Sequence, residues 1–387
     1  MQSSHSREPA ACWPAAVHPE GATGLPLQGI RVLDFSTLLP GPLTTLVLAE
    51  AGADVLRIEP AETGDPLRAF EPALGPVSAL YAMLNRGKRA FSLDLQDQQS
   101  LAWVQQLAGV ADIAVVQARP GVPERQGIGY AELAKLNPPL IYCSITGYGT
   151  AGPLASRPGY DLAFMADSGL LGAATAPSGR PVLPATSVGD IAGGTYPALI
   201  NILLALRQRD LTGQGTFIEI SMAHNLQALT YRHFAKRQVN GEWGDPEADL
   251  LGGGSARYHL YPTADQRFVA VYALNDWSWD RLGEAVGLEA PYIGQPECPE
   301  TIEALAGIFL RNTSGHWRHV FESAGVKATV VSDFAEAERA GLIDVDSPDR
   351  VRCGQAEVAT LPSVIAPTLR RAPATLDCPD LQTVPGE

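Results

Sequence analysis

Cysteine, aromatic residues and charged residues are all scarce in this chain of 387 residues. Aromatic residues make up 7% of the composition and charged residues 18%, and there are five cysteines. Those cysteines, Cys12, Cys143, Cys298, Cys353 and Cys378, are scattered, odd in number and without C-x-x-C spacing. The sequence therefore predicts free thiols in a reducing compartment, with neither a disulfide framework nor a cysteine metal site.

Positive charge is also in deficit. The chain has 28 Lys and Arg against 42 Asp and Glu, a formal net charge of −14. Such an acidic surface repels nucleic acid and anionic membranes, so we expect neither as a partner. A phosphate-bearing ligand must then be held by a local cluster of basic side chains.

Long apolar runs and metal-ligand motifs are absent from the sequence. No segment approaches the roughly 20 apolar residues of a membrane span. Residues 1–24 lack the apolar centre of a signal peptide, which predicts a mobile N-terminal arm and a cytoplasmic protein. None of the seven histidines has H-E-x-x-H or comparable spacing, so no metal site is predicted.

The chain is too long for one typical core, and its pattern changes near residue 222. In the predicted large domain, 25–222, short β-branched runs alternate with helical runs, which favours βαβ units and a parallel sheet. Residues 223–330 predict a smaller α+β domain that contains a hairpin, and 331–387 a C-terminal segment that returns to the large domain. The expected fold class is α/β, with a Rossmann-like doubly wound large domain. The G-x-G-x-x-G of dinucleotide enzymes is missing after the first strand.

Asp190 is the candidate reactive group that the residues themselves suggest. It stands among small residues, directly before an apolar helical run from Leu199 to Arg207. Helix dipoles and backbone amides hold a carboxylate ionised there, and small neighbours let a bulky substrate approach, as a covalent nucleophile requires. Helix capping by Asp190 explains the same residues, and both interpretations stay open on this ground.

Twelve short motifs, in order along residues 29–280, resemble the class III coenzyme A transferase family, which includes formyl-CoA transferase, carnitine CoA-transferase and α-methylacyl-CoA racemase. The motifs are GIRVLD (29–34), GP (41–42), GADVLRIE (52–59), GDPLR (64–68), NRGKR (85–89), LDL (93–95), RPG (119–121), GYG (147–149), GP (152–153), PGYD (158–161), VGD (188–190) and TGQG (212–215). The resemblance implies acyl-CoA and a carboxylate acceptor as substrates, no tightly bound cofactor, and an interlocked homodimer.

The resemblance also implies roles for three residues of the site. Asp190 matches the family's catalytic aspartate, which attacks the acyl-CoA thioester and forms a covalent aspartyl intermediate. Tyr160 matches a tyrosine of formyl-CoA transferase and replaces the histidine base of the racemase, while Asn275 replaces the racemase glutamate. Neither side chain is a base near neutral pH, so transferase chemistry is favoured over racemisation. Asp161 is expected to orient groups of the site, and both it and Tyr160 also fit plain capping or packing roles.

The coenzyme A contacts are expected in the large domain and in one glycine loop. Arginine suits phosphate because its planar fork binds two oxygens at once. The candidate CoA-binding residues are Arg57, Arg68, Arg89, Gln117, Arg125, Gly252, Gly253 and Gly254. The three glycines match a loop that closes over the nucleophile in the transferases, although a plain linker explains them equally well.

Two other functions remain open at this stage. The first is an acyl-CoA racemase or isomerase that exchanges the α-proton with Asp190 and a second base. The other is a non-catalytic acyl-CoA binding homologue, against which the Gly-Asp-Ile segment at 189–191 stands.

Overall fold

The computed structural model describes residues 13–14, 24–174, 180–245 and 249–383, which form two compact units. Of these described residues, the first unit contains those within 1–168, 184–228 and 344–387, and the second contains those within 169–183 and 229–343. These boundaries differ from the predicted ones at three places, because residues 169–183 and 331–343 join the second unit and 223–228 the first. Most of the predicted N-terminal arm lies outside the described residues.

The first unit is built on a seven-stranded sheet in which every strand pairs in parallel with its neighbours. Its strands are β1 (Arg31–Phe35), β2 (Asp54–Pro60), β5 (Arg89–Leu93), β6 (Ile113–Gln117), β7 (Ile141–Thr146), β8 (Thr216–Ser221) and β15 (Leu381–Gln382). Their order is β15-β5-β2-β1-β6-β7-β8, so the direction of winding reverses between β1 and β6. This confirms the predicted α/β class with a doubly wound parallel sheet.

Helices cover the sheet as the alternating pattern predicts. They are α1 (Pro40–Glu50), α2 (Ala79–Asn85), α3 (Gln98–Ala108), α4 (Val122–Arg125), α5 (Tyr130–Leu136), α6 (Asp161–Asp167), α7 (Val188–Asp190), α8 (Tyr196–Thr212) and α9 (Met222–Asn225). Local chemistry sets several starts: prolines open α1, Ser78 caps α2, and the Asp97 carboxylate accepts from the amide of Ser100 at 2.7 Å to cap α3. Leu33, Leu56, Val104 and Leu107 belong to the core between these layers.

One long helix carries the candidate nucleophile. A π-helical segment, Ile191–Thr195, joins α7 to α8, so the backbone is helical from Val188 to Thr212. By length and composition this helix meets the criteria for a membrane span, with mean hydropathy 1.3 and 44% of that stretch buried. Ile202 and Ala205 are among its buried residues, which suits a helix packed within a folded unit.

Small sheets complete the first unit and were not predicted. Strand β12 (Arg350–Cys353) pairs with β13 (Ala356–Ala359) and with β14 (Thr375–Asp377), and β3 (Ala73–Leu74) pairs with β4 (Val77–Ser78). Near the C-terminal end, β15 extends the main sheet by pairing Leu381 with Ala90. Short 3₁₀ turns occur at Pro66–Ala69, Leu226–Thr230 and Pro367–Leu369.

The second unit has its own core around an antiparallel sheet. Its strands β9 (Tyr258–Pro262), β10 (Phe268–Tyr272) and β11 (Ala328–Val330) contain the predicted hairpin. Its helices are α10 (Tyr231–Asn240), α11 (Asp276–Val286), α12 (Ala290–Ile293), α13 (Pro299–Phe309), α14 (Ser314–Ala324) and α15 (Phe334–Arg339). Trp279, Phe309 and Trp317 fill the core between helices and sheet.

Candidate active site

Asp190 lies in the first turn of the long helix, but its side chain does not cap that helix. Ser187 occupies the N-cap position, and the backbone amide of Asp190 donates a hydrogen bond to Oδ1 of Asp161 at 2.9 Å. Asp161 begins α6, twenty-nine positions earlier in the chain. The carboxylate that satisfies this helix terminus is therefore that of Asp161, and the side chain of Asp190 is left for another purpose.

Glycines allow the segments around Asp190 to approach closely. A Cβ atom on Gly189 would lie 3.0 Å from both the carbonyl oxygen and Oδ1 of Asp161. On Gly193 it would lie 2.4 Å from the carbonyl oxygen of Met222, a distance that no side chain tolerates. The carbonyl of Gly193 accepts a hydrogen bond from Nδ2 of Asn225 at 2.8 Å, which holds the π-helical turn against α9. π-helical turns are rare and are often found at functional sites.

The carboxylate of Asp190 is half-buried and unpaired. Within the described residues, no hydrogen bond or ion pair reaches its oxygens. Burial, and next the negative charge of Asp161, raise the pKa of Asp190 to about 7. Strongly perturbed carboxylates are typical of catalytic positions, because the lost solvation makes the ionised form more reactive.

A cavity of about 480 Å³ opens at the carboxyl edge of the sheet, where the winding reverses. Phe35, Pro60, Leu93 and Gln117 line it from the ends of β1, β2, β5 and β6, together with Ala118. No lysine or arginine is among the described residues that line it. The chamber therefore suits an uncharged ring system better than a phosphate group.

The start of α1 connects this cavity to the helix of Asp190. Oε1 of Gln117 accepts from the backbone amide of Gly41 at 3.1 Å, so the predicted CoA contact is also a support for α1. The adjacent carbonyl of Pro40 accepts from Oγ1 of Thr195 at 3.0 Å, in the π-helical segment. Pro40 and Gly41 therefore join the cavity wall at Gln117 to the π-helical segment at Thr195 by two hydrogen bonds.

Arg57 corrects the sequence interpretation. It is 0% exposed, in the middle of β2, and forms ion pairs with Asp34, Glu59 and Asp65. Burial alone would raise the pKa of Asp34, but the charges of Arg57 and Lys88 hold it below its usual value. A guanidinium enclosed in this way has no surface with which to contact a phosphate, and its role is to balance buried carboxylates.

Arg68 and Arg89 are also engaged within the protein. Arg68 binds both oxygens of Glu59, at 2.8 and 3.0 Å, and donates to the hydroxyl of Tyr81 at 2.5 Å. Arg89 pairs with Asp54 at 2.5 Å and donates to the carbonyl of Pro14. Each side chain keeps some exposed surface, 18% and 14%, so neither is enclosed as Arg57 is.

Arg125 is placed differently from these three arginines. It ends α4, a helix whose Val122 lines the cavity, and its side chain is exposed. Arg119, at the loop before that helix, is exposed as well. Among the predicted CoA-binding arginines, Arg125 has the position and the freedom to meet a phosphate beside the cavity.

Tyr160 and the glycine loop occupy separate units. Tyr160 is the N-cap residue of α6, next to Asp161, and is 75% exposed, so it is not a packed core aromatic. Gly252, Gly253 and Gly254 lie in the second unit, where a 3₁₀ turn, Leu250–Gly252, starts at Asp249. The amides of Gly252 and Gly254 donate to the Asp249 carbonyl at 2.8 and 3.0 Å, so the loop is a hydrogen-bonded turn.

One polar pair was not identified from the sequence, which was searched for metal-ligand spacing among the histidines. Oγ of Ser221, at the carboxyl end of β8, lies 2.9 Å from Nδ1 of His224 on α9. This is the short helix that Asn225 ties to the π-helical turn. The feature of the sequence that could have indicated this pair is the spacing of three residues between Ser221 and His224 at the end of a strand. In the described part of the chain, no group of His, Cys, Asp and Glu is placed to hold a metal ion.

The family follows from comparison with known proteins. The model of CoA-transferase family III matches residues 27–375, nearly the whole described chain, and the protein belongs to that family. Its relatives include both transferases and racemases, so membership alone leaves the reaction open.

Three curated relatives illustrate that range. Human succinyl-CoA:glutarate CoA-transferase is 30% identical over 311 residues, covering 78% of this chain and 70% of the relative. Acetyl-CoA:oxalate CoA-transferase of Acetobacter aceti is 32% identical over 324 residues, covering 81% and 82%. Mouse α-methylacyl-CoA racemase is 31% identical over 316 residues, covering 80% and 79%.

Solved structures share the fold. Rv3272 from Mycobacterium tuberculosis has a TM-score of 0.76 at 25% identity, covering 92% of this chain and 97% of that one. A CAIB/BAIF family protein from Brucella suis has a TM-score of 0.74 at 23% identity, covering 87% and 96%.

Proposed function

We propose that this protein is a CoA-transferase that moves coenzyme A from an acyl-CoA thioester to a carboxylic acid through Asp190. The observation that carries the proposal is the state of this carboxylate: half-buried, unpaired within the described residues, and desolvated enough to raise its pKa to about 7. Membership of CoA-transferase family III supplies the class of substrate.

The first half of the reaction converts the donor into an enzyme-bound thioester. An oxygen of Asp190 attacks the acyl carbonyl, the C–S bond breaks, and a mixed anhydride and the CoA thiolate form. The thiolate then attacks the aspartyl carbonyl of the anhydride. This step releases the donor carboxylate and leaves CoA on Asp190 as a thioester.

The second half repeats these steps in reverse order with the acceptor. The acceptor carboxylate attacks the aspartyl thioester, which releases the CoA thiolate and forms a new anhydride. Attack of the thiolate on the acceptor's acyl carbon gives the new acyl-CoA and regenerates the Asp190 carboxylate. Each bond broken is matched by one of similar energy, so no external energy source is needed.

Coenzyme A is expected to place its adenine in the cavity beside Gln117 and Ala118, with Arg125 close to a phosphate. The absence of lysine and arginine from the described lining fits an uncharged ring inside and phosphates at the entrance. Gly252–Gly254 is kept as the candidate loop that shields the anhydride from water.

Trapping with hydroxylamine tests the proposal. The enzyme is mixed with candidate acyl-CoA esters and hydroxylamine, and peptides are analysed by mass spectrometry. Conversion of Asp190 to a hydroxamate identifies both the nucleophile and the donor. Asp190→Asn should abolish transfer and labelling, whereas Asp210→Asn, an exposed aspartate on the same helix, should change neither. An active Asp190→Asn enzyme would refute the mechanism.

Racemase or isomerase chemistry is the second candidate. A carboxylate with a pKa of about 7 is also suited to exchanging a proton near neutral pH, and His224, fixed by Ser221, is a candidate second base. The enzyme is incubated with a chiral 2-methylacyl-CoA in deuterated water without any acceptor acid. Deuterium at the α-carbon would favour this candidate over CoA transfer.

The assembly is proposed to be a homodimer that acts in the cytoplasm. Ile200, Leu203 and Leu204 on α8 are 58%, 49% and 63% exposed, a stripe of apolar side chains that a second copy of the chain would bury. Light scattering of the purified protein measures the oligomeric state directly.

A further inference from the structure

Three arginines meet at the amino edge of the parallel sheet. Arg86 follows α2 and leads into β5, and Arg370 and Arg371 follow the 3₁₀ turn Pro367–Leu369. The backbone amide of Arg371 donates to the carbonyl of Glu50, the last residue of α1, at 3.0 Å. Because α1 runs from the carboxyl edge back to the amino edge, this cluster lies at the edge of the sheet opposite to the cavity.

The charges of this cluster do not balance. Glu50 forms an ion pair with Arg86, and Asp349 pairs with Arg370 at 2.8 Å. No carboxylate of the described residues lies within 4.0 Å of the guanidinium of Arg371. Three guanidinium groups against two carboxylates leave one positive charge in excess, in a protein whose net charge is −14.

Hydrogen-bond donors are unsatisfied in the same place. Arg86 is only 4% exposed, and its Nε and that of Arg370 are buried with no partner among the described residues. A buried N–H without an acceptor is costly, so such atoms point to a missing ligand. Burial, together with the neighbouring charge of Arg86, lowers the pKa of Arg371 to about 10 in spite of Glu50.

A glycine lets the arginines come this close. A Cβ atom on Gly87 would lie 3.1 Å from Nη1 of Arg371 and 2.8 Å from Cδ1 of Leu376. The amide of Gly87 donates to the carbonyl of Asp377 at 3.2 Å, which joins the Arg86 turn to the last residue of β14. Elements from both ends of the first unit therefore converge on the cluster.

We propose that Arg86, Arg370 and Arg371 bind a small oxyanion, a phosphate or a carboxylate group, at a site separate from the acyl-CoA site. One bound anion would neutralise the excess charge and accept from the buried Nε groups. Planar guanidinium forks match the oxygens of phosphate and carboxylate. Arg370 and Arg371 keep partial exposure, which gives the anion a route from solvent.

Calorimetric titration of the whole enzyme with inorganic phosphate tests this site. The buffer is kept at constant ionic strength, with chloride as the other anion. We expect one phosphate per chain, and we expect its binding to persist when CoA is saturating. Arg371→Gln should weaken it about tenfold or more, as loss of a charged donor pair does. Arg352→Gln is the matched control. It removes an exposed arginine of β12 that pairs with Asp377 of β14, and it should bind phosphate as the unaltered enzyme does.

A parallel titration with acetate separates the two sources of the ligand, since a carboxylate site binds acetate as well as phosphate. Should Arg371→Gln fail to fold, Arg371→Lys keeps the charge, loses the planar fork and should still weaken phosphate binding. The proposal is overturned by absence of binding to the unaltered enzyme, by competition between phosphate and CoA, or by folded Arg371 variants that bind phosphate as tightly as the unaltered enzyme.

Discussion

Asp161 accepts a hydrogen bond from the backbone amide of Asp190 while its negative charge faces the Asp190 side chain. One contact thus has two effects: it fixes the first turn of the long helix and it disfavours ionisation of Asp190. A carboxyl group that is held in position but poorly stabilised in its ionised form is suited to covalent chemistry, because that carboxylate is a stronger nucleophile. The first three predictions examine this pair.

The rate of transfer should rise with pH through about 7 and then reach a plateau. The pKa of Asp190 is raised to about 7, so the nucleophilic carboxylate is the minor form below that pH. Initial rates between pH 5 and 9, with a stable acyl-CoA, measure this dependence. A rate that is flat across this range would contradict the role of Asp190, and a bell-shaped curve would favour proton exchange between two groups.

Asp190→Asn should stabilise the protein above neutral pH. The folded protein holds its proton on Asp190 up to about pH 7, whereas the unfolded chain loses it near the ordinary value of 3.8. Stability from this group is therefore present at low pH and lost as pH rises from about 4 to 7. The variant should gain roughly 2 to 4 kcal/mol at pH 8 and little at pH 4, as measured by thermal unfolding. A variant less stable than the parent at pH 8 would contradict this.

Asp161→Asn should shift the pH profile of the reaction to lower pH. An asparagine oxygen still accepts from the Asp190 amide, but the charge that disfavours ionisation is gone. The midpoint of the rate profile is the quantity to measure. Asp167→Asn, at the other end of α6, is the control and should leave the midpoint in place. Equal midpoints for the two variants would show that burial alone sets the pKa of Asp190.

Arg57 and Arg125 should respond to substitution in opposite ways. Arg57→Met removes the cation that three buried carboxylates share and should cost about 3 to 5 kcal/mol of stability. Arg125→Ala should leave the melting temperature unchanged and raise the KM for acyl-CoA about tenfold. Thermal unfolding and steady-state kinetics on both variants check this. A folded Arg57→Met enzyme with a raised KM alone would restore Arg57 as a CoA ligand.

Leu204→Glu should break the proposed dimer. A charge within a buried apolar stripe should weaken association about tenfold or more. Light scattering across a dilution series measures the effect, with Leu361→Glu, an exposed residue of the C-terminal segment, as the control. Unchanged mass for Leu204→Glu would place the stripe of α8 outside any interface.

The periodic patterns of the sequence predict helices and strands, whereas they do not predict contacts between residues far apart in the chain. Strands β2 and β6 and helix α3 follow the alternation of β-branched and helical runs that the sequence of the large domain shows. Such elements are local, so neighbouring residues encode them. The small sheet of β12, β13 and β14 was not predicted because its strands are short and because β12 pairs with β14 between residues over twenty positions apart.

The candidate site shows the same division. Asp190 is identifiable from its small neighbours, but its contact with Asp161 depends on two helices meeting, and no local pattern reports that. Arg57 is a different case, since a strand inside a parallel sheet is covered on both faces. A charged residue at the centre of Asp54–Pro60 was therefore bound to be enclosed, and this signal was present in the sequence.

The π-helical segment sets the direction in which Asp190 faces. A π-helical turn contains about one residue more than an α-helical turn, and each α-helical residue turns the chain by about 100°. Removing a single residue from Ile191–Thr195 would restore uniform α-helical winding. The Asp190 carboxylate would then rotate about a quarter-turn around the helix axis relative to α8, although every side chain of the reaction would still be present. The one extra residue of the π-helical turn therefore fixes the direction in which the Asp190 side chain points.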